Sequence, residues 1–175
     1  MYEFQRADLR LGIAYTRRDA WMNAQTESNK TLITNKLSSS GLLKGIATFS
    51  SDDLSINRRQ IMLNGREILA SNNGYLCNYE DAKVAAKYFK EKEIDALFIG
   101  FCNYGQEDAV AKLAKELNVP VLLWGPRDPS PENHSVYRQT DTQCGIFAAS
   151  KVLRRYGVSF TYIETCYIDD PDFSI

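Results

Sequence analysis

The hydrophobic residues of this chain follow two patterns, short continuous runs and longer stretches with helical spacing. Continuous apolar runs of about four to eight residues are typical of strands that are buried on both faces of a sheet. Five such runs predict strands one to five in chain order, at Leu9–Thr16, Gly45–Ser50, Ala96–Phe101, Val121–Trp124 and Phe160–Glu164.

A hairpin is predicted between strands two and three. Arg59–Leu63 is strand-like, and Asn64-Gly65 separates it from a second apolar segment, Arg66–Leu69. Asn-Gly between two apolar segments is the strongest short turn signal. We therefore expect the chain to leave the sheet after strand two and to return before the next helix.

Four stretches have the spacing of amphipathic helices. The clearest places apolar side chains at i, i+3, i+4 and i+7, behind Glu80 and Asp81, whose charges favour a helix start. Thr140 and Gln143 have the spacing of a capping box, with Thr140 as the cap. The helices are predicted over Ala20–Leu37, from Asn78 through Ala82, Ala85, Ala86 and Phe89, over Ala109–Leu117, and from Thr140 to about Tyr156.

Strands that alternate with helices over short connections indicate a parallel sheet with helices on both faces. The five strands and four helices predict one α/β domain over residues 1–175, a flavodoxin-like three-layer sandwich with a five-stranded, doubly wound parallel sheet. Residues 166–175 follow the last strand without a helical pattern. Such domains usually continue after this strand, so we expect the chain to be part of a longer protein.

Charge and cysteine usage narrow the class of protein. The chain has 21 basic and 22 acidic residues and a net charge of −1, which favours neither a nucleic acid nor an acidic membrane as partner. No apolar run approaches the roughly 20 residues that cross a bilayer. Residues 1–10 lack the apolar core of a signal peptide, and four cysteines lie far apart. These features predict a cytoplasmic protein with reduced thiols.

The candidate ligand site lies in the loops that follow the strands. In an open parallel sheet, ligands bind at the carboxyl ends of the strands, near the point where strand order reverses. The loops after strands one, three and four and the start of the last helix are rich in planar polar groups and aromatic rings, which suit a sugar. The candidates are Arg17, Arg18, Asn103 and Tyr104, with Gln139 and Asp141 bracing them from the helix. The alternative is that these loops are polar as in any protein and the arginines merely solvated.

Sequence motifs that would indicate a specific cofactor or metal are absent. There is no GxGxxG after strand one and no GxxxxGK[ST], so neither a dinucleotide nor a P-loop phosphate site is supported. The loop after strand one is also a poor match for a flavin phosphate. The single histidine, His134, lies in a proline-containing loop, and no set of residues in this chain is spaced to bind a metal. Cys102 is interpreted as a buried structural thiol, since no base for it is identifiable.

Two segments, Ala96–Pro126 and Arg138–Glu164, together with Leu11–Trp21, resemble the N-terminal domain of the L-fucose/L-arabinose isomerase family. The most distinctive piece is Gln139–Gly145, at the start of the last helix. The resemblance implies that this chain is the N-terminal part of a longer multidomain chain, a flavodoxin-like domain followed by two more, in an enzyme that interconverts aldoses and ketoses through an enediol. It also implies a divalent metal, typically Mn²⁺, held by the later domains, and a homo-oligomer in which this domain closes the active site of a neighbouring subunit.

The resemblance also implies positions for sugar contacts. The loop after strand one would contribute Arg17 or Arg18. The loop after strand three would contribute Phe101, Cys102 or Asn103, and the loop after strand four would contribute Trp124 and Arg127. Fucose isomerases have a tryptophan in the strand-three loop, where this chain has Phe101 and Cys102, so the resemblance does not fix the identity of the sugar.

We therefore expect a domain for substrate recognition and oligomerisation in a cytosolic sugar isomerase. The 175 residues should be inactive alone, because they lack a metal-binding set. Two alternatives stay open at this point. A stand-alone sugar-binding or sensor module would bind its sugar without a neighbour, and a flavodoxin-like electron carrier would be yellow.

Overall fold

The computed structural model describes residues 9–21, 24–39, 43, 46–54, 59–63, 66–70, 74–128 and 139–163. The strands are β1 (Arg10–Thr16), β2 (Ala47–Ser50), β3 (Arg59–Leu63), β4 (Arg66–Ala70), β5 (Tyr75–Leu76), β6 (Ala96–Phe101), β7 (Val121–Trp124) and β8 (Thr161–Tyr162). The helices are α1 (Ala24–Ser39), α2 (Tyr79–Glu91), α3 (Glu107–Leu117) and α4 (Thr142–Arg155). Short 3-10 turns lie at Asp19–Trp21 and Ser51–Asp53.

The main sheet is parallel and has the order β2-β1-β6-β7-β8. This is the doubly wound order in which the second strand lies outside the first, and the predicted α/β, flavodoxin-like fold is confirmed. Strand order reverses between β1 and β6, so the loops that follow these two strands leave in different directions. The predicted ligand site therefore lies at the carboxyl ends of the two central strands, β1 and β6.

Two short strands share the edge position beside β1. β2 pairs with residues from Arg10 to Ile13, and β5 pairs with Tyr15 and Thr16. Between β2 and β5 the chain makes the predicted hairpin, in which β3 and β4 form an antiparallel sheet with Leu63 opposite Arg66. The prediction missed β5, because a two-residue strand is too short to produce a hydrophobic pattern.

The helices form two unequal layers. Along β1, Ala14 packs in a core with α2, α3 and α4, whereas Ile13 and Tyr15 pack with α1 on the other face. Small side chains let the three-helix layer approach the sheet closely. That layer buries Ala82, Ala85 and Ala86 from α2, Ala109, Ala111 and Ala114 from α3, and Ala149 from α4.

Two predicted helix starts are wrong. α1 begins at Ala24 rather than Ala20, because the chain first makes the turn at Asp19–Trp21, where Asp19 accepts a hydrogen bond from the Arg17 side chain. α4 begins after Asp141, and Thr140 does not cap it. The Thr140 hydroxyl donates instead to Asp128, a partner twelve residues away that local spacing does not reveal.

The last strand is shorter than predicted. β8 contains Thr161 and Tyr162, both exposed, and the Ile163 N–H continues the pairing by donating to the Leu123 carbonyl at 3.0 Å. Phe160 precedes the strand, and residue 164 lies outside the described residues.

Helix α4 contacts the loop after β6 at Gly145. A Cβ atom added to Gly145 would lie 1.8 Å from the Tyr104 carbonyl oxygen, and real Cβ atoms never approach so closely. The neighbouring atoms are backbone, so they cannot move aside as a flexible side chain would. Gly145 therefore fixes how near α4 lies to the β6 loop.

We expect Gly145→Ala to lower the free energy of unfolding by at least about 2 kcal/mol, because overpacking outweighs the helix propensity that alanine adds. Chemical denaturation of both proteins measures this. Gly157→Ala is the control, since nothing lies within 4 Å of the added Cβ. Its cost should be only the roughly 1–2 kcal/mol of a left-handed backbone with a side chain. An unchanged stability of Gly145→Ala would contradict the close contact.

Candidate functional site

Asn103 joins the loops that follow β1 and β6. Its side chain is completely buried. Its Oδ1 accepts from the Arg18 N–H at 2.8 Å and from the Gly105 N–H at 2.9 Å. Its Nδ2 donates to the Arg18 carbonyl at 3.1 Å and to Thr26 Oγ1 at 3.4 Å. The amide thus acts as a clamp between two loops, and these contacts occupy both ends of it.

Thr16 makes a second connection at the end of β1. Its hydroxyl donates to the Leu76 carbonyl at 3.0 Å and accepts from the Gln106 N–H at 2.9 Å. Its carbonyl accepts from the Cys102 N–H at 3.1 Å. The end of β1 is therefore fixed to β5 on one side and to the start of α3 on the other.

Arg17 is a buried ion-pair residue. Its side chain is 2% exposed, and its guanidinium lies 3.1 Å from both Asp19 Oδ1 and Glu27 Oε1. It also lies over the Tyr75 ring, 4.4 Å from the centroid, and the Tyr75 hydroxyl donates to Glu27. Asp19 and Glu27 are partly exposed, but the guanidinium itself is buried, and leaving a buried charge without its partners is costly, so these contacts stabilise this part of the fold. A direct contact between Arg17 and sugar stays a prediction.

Arg18 is partly exposed, and its side chain is held on three sides. Its Nε donates to Gln106 Oε1 at 3.2 Å, and its Nη2 pairs with Glu107. Its guanidinium carbon lies 4.3 Å from the centroid of the Tyr104 ring. Because Asn103 also holds its backbone, Arg18 presents a pre-oriented guanidinium at the edge of the sheet.

Three predicted site residues, Phe101, Cys102 and Trp124, are completely buried. Burial raises the pKa of the Cys102 thiol, which keeps it protonated and unreactive near neutral pH. The interpretation of Cys102 as a structural thiol is consistent with this. Phe101 lies against the positions where Gly105 and Gly125 would carry a side chain. Sugar contacts by these three side chains stay predictions.

The loop after β7 is held by Asp128. Its carboxylate accepts from the Thr140 N–H at 3.1 Å, from the Asp141 N–H at 2.8 Å and from the Thr140 hydroxyl. The Thr142 hydroxyl donates to the Pro126 carbonyl at 2.5 Å. Asp128 thus connects the loop after β7 to Thr140 and Asp141, the two residues that directly precede α4. Sequence reasoning missed this role of Asp128, because its partners Thr140 and Asp141 lie twelve and thirteen positions away.

The structure therefore divides the predicted site residues into two sets. Arg18 and Tyr104 lie together at the end of β6 and are partly exposed, and beyond β7 Asp141 is partly exposed while Arg127 and Gln139 are exposed. The buried set is Arg17, Phe101, Cys102, Asn103 and Trp124. The buried side chains make contacts within the fold, and ligand contact by either set stays a prediction.

The family resemblance implies a divalent metal, typically Mn²⁺, in the parent enzyme. Within the described ranges, no three His, Cys, Asp or Glu side chains lie close enough together to hold a metal ion. The residues that the structure describes therefore do not fit a metal centre, and His134 lies outside them. In the same ranges no helix is long and apolar enough to cross a membrane.

We expect Asn103→Ala to lower the free energy of unfolding by about 2–4 kcal/mol, because the N–H groups of Arg18 and Gly105 and the Arg18 carbonyl lose their partner. Gln106→Ala removes a single partly exposed side-chain contact and should cost less than about 1 kcal/mol. Denaturant titration of both variants measures the difference. Equal stabilities would show that Asn103 does not act as a clamp.

Comparison with known proteins identifies the family. A family model described as the N-terminal domain of fucose/sulfoquinovose isomerase matches residues 12–174. No curated protein matches the chain significantly. Among solved structures, the chain is similar to an azoreductase from Bacillus anthracis str. Sterne, with 13% identity, a TM-score of 0.42, and coverage of 89% of this chain and 85% of that one. That likeness is too weak to indicate function, but the family match spans nearly the whole sequence. The chain belongs to the fucose/sulfoquinovose isomerase family and represents its N-terminal domain.

Proposed function

We propose that this chain is the substrate-recognition and oligomerisation domain of an aldose–ketose isomerase, an intramolecular oxidoreductase of carbohydrate metabolism in the cytoplasm. Family membership supports the reaction class. In this proposal the domain completes the sugar site of a neighbouring subunit, and any catalytic metal is held by residues outside those described here.

The observation that carries the proposal is the pre-oriented, partly exposed Arg18. A guanidinium has five N–H donors in a planar fork, which suits a pair of vicinal hydroxyl groups. The adjacent Tyr104 ring can cover the apolar C–H face of a sugar. Since Asn103, Gln106 and Glu107 already fix Arg18, little conformational entropy is lost when a sugar binds.

The proposed role is binding and orientation, with proton transfer left to other residues. The Glu107 and Asp128 carboxylates both accept hydrogen bonds within the domain. The Cys102 thiol is buried and has a raised pKa. Because these carboxylates already have donors within the domain and the thiol is buried, the proposal assigns the proton transfer between adjacent sugar carbons to residues outside this domain.

We expect Arg18→Ala in the intact isomerase to lower kcat/KM for aldoses by about 10–100-fold, because hydrogen bonds from a charged donor are lost. Arg18→Lys should recover only part of this, since it keeps the charge without the planar fork. Steady-state kinetics with fucose and arabinose, together with circular dichroism, measure the effect.

Arg155→Ala is the matched control, because Arg155 is an exposed arginine at the far end of α4. It should leave kcat/KM unchanged. An Arg18→Ala enzyme as active as the wild type would contradict the proposal. If the 175-residue chain alone bound an aldose as tightly as the intact protein, a stand-alone sugar-binding module would replace it.

A further inference from the structure

The Arg18 guanidinium is hydrogen-bonded along one side only. Its Nε donates to Gln106 Oε1 at 3.2 Å, and its Nη2 donates to Glu107 Oε2. These two nitrogens form the side of the planar fork that faces the start of α3. The end of the fork, formed by Nη1 and the second N–H of Nη2, makes no hydrogen bond with the part of the chain that the structure describes. Arg18 therefore keeps a pair of parallel donors for a ligand.

Glu107 keeps an acceptor beside this pair of donors. Its contact with Arg18 uses Oε2, and among the described residues no hydrogen bond is made to Glu107 Oε1. The side chains of Arg18 and Glu107 are 30% and 27% exposed, so both can reach a ligand at the surface. A carboxylate acceptor and a guanidinium donor thus lie side by side, already oriented by their own ion pair.

An adjacent donor and acceptor match a vicinal pair of hydroxyl groups. A hydroxyl can donate to a carboxylate, and its neighbour can accept from a guanidinium. A carbonyl or ether oxygen can only accept, so it could use Arg18 but not Glu107. The Tyr104 ring covers one face of the guanidinium, 4.3 Å from its central carbon, and directs a ligand toward the edge where the two charged groups meet.

We propose that Glu107 is a specificity-determining residue that accepts a hydrogen bond from one hydroxyl of a vicinal diol, while Arg18 donates to the other. The inference rests on the proposed isomerase function. That function leaves C1 and C2 to the residues that transfer the proton, and in a pyranose the C5 oxygen belongs to the ring. The diol is therefore the one at C3 and C4. Binding energy from such a remote part of the substrate can be used to orient the reacting carbons.

The test uses the intact isomerase. Whichever of fucose and arabinose is turned over faster is compared with its 3-deoxy and 4-deoxy analogues. The wild type should lose at least about tenfold in kcat/KM on each analogue, because each lacks one hydrogen bond to a charged group. Glu107→Ala should reduce the loss for one analogue to within about threefold and leave the other loss in place, since only one hydroxyl is read by Glu107. Arg18→Ala should do the reverse.

Glu116→Ala is the matched control. Glu116 lies at the other end of α3, is 30% exposed and pairs with Lys90 at 3.1 Å, so this variant also removes a partly exposed, ion-paired carboxylate from the same helix. It should keep the kcat/KM of the parent sugar and both analogue losses within about twofold of the wild type, because an exposed ion pair contributes little.

The other outcomes separate the inference from the function on which it rests. If Glu107→Ala lowered kcat/KM for all three sugars by the same factor, Glu107 would only position Arg18, and the inference would be wrong. If the wild type used both analogues as well as the parent sugar, the inference would also fail while the isomerase function stood. If neither fucose nor arabinose were isomerised, the proposed function itself would be contradicted, and the inference with it.

Discussion

The candidate site at the carboxyl ends of the central strands depends on the hydrogen bonds of the buried Asn103 amide. β1 and β6 are neighbours at the centre of the sheet, and their loops diverge at the point where strand order reverses. Asn103 connects the loops by bonding to both backbone groups of Arg18 and to the N–H of Gly105. Gly105 has a left-handed φ of 74°, a conformation that favours glycine and turns the chain into α3.

The other contacts extend this clamp across the edge. With its backbone fixed, Arg18 can lie between the Tyr104 ring and the Glu107 carboxylate. Gly145 then brings α4 against the Tyr104 backbone, and Asp128 connects α4 to the loop after β7. The carboxyl ends of β1, β6 and β7 are thus held by side chains of the loops that follow them. The partly exposed side chains of Arg18 and Tyr104 therefore lie on a rigid support. This is the arrangement that binding without large reorganisation requires.

The sequence predicted the central elements correctly for a physical reason. β6 and β7 are apolar runs buried between two helical layers, and α2 and α3 have regular stripes of small side chains. Such patterns depend only on neighbouring residues. The predicted start of α4 was wrong because the Thr140 hydroxyl donates to Asp128, which lies outside the local sequence pattern. β5 was missed because it is defined by pairing with Tyr15 and Thr16, far away in the sequence.

The position of the candidate loops at the carboxyl ends of the central strands was predictable, since it follows from strand order, but the burial of their side chains was not. Arg17 and Asn103 are polar, and sequence patterns place polar loop residues on the surface. Their burial depends on partners that only the fold brings together, such as Arg18 and Asn103, which are 85 positions apart.

The most direct test of the account is amide hydrogen exchange at Arg18 and Gly105. We expect both N–H groups to be protected at least about 100-fold relative to unstructured peptides, although they lie in loops. Exchange at the rate of an open loop would contradict the clamp.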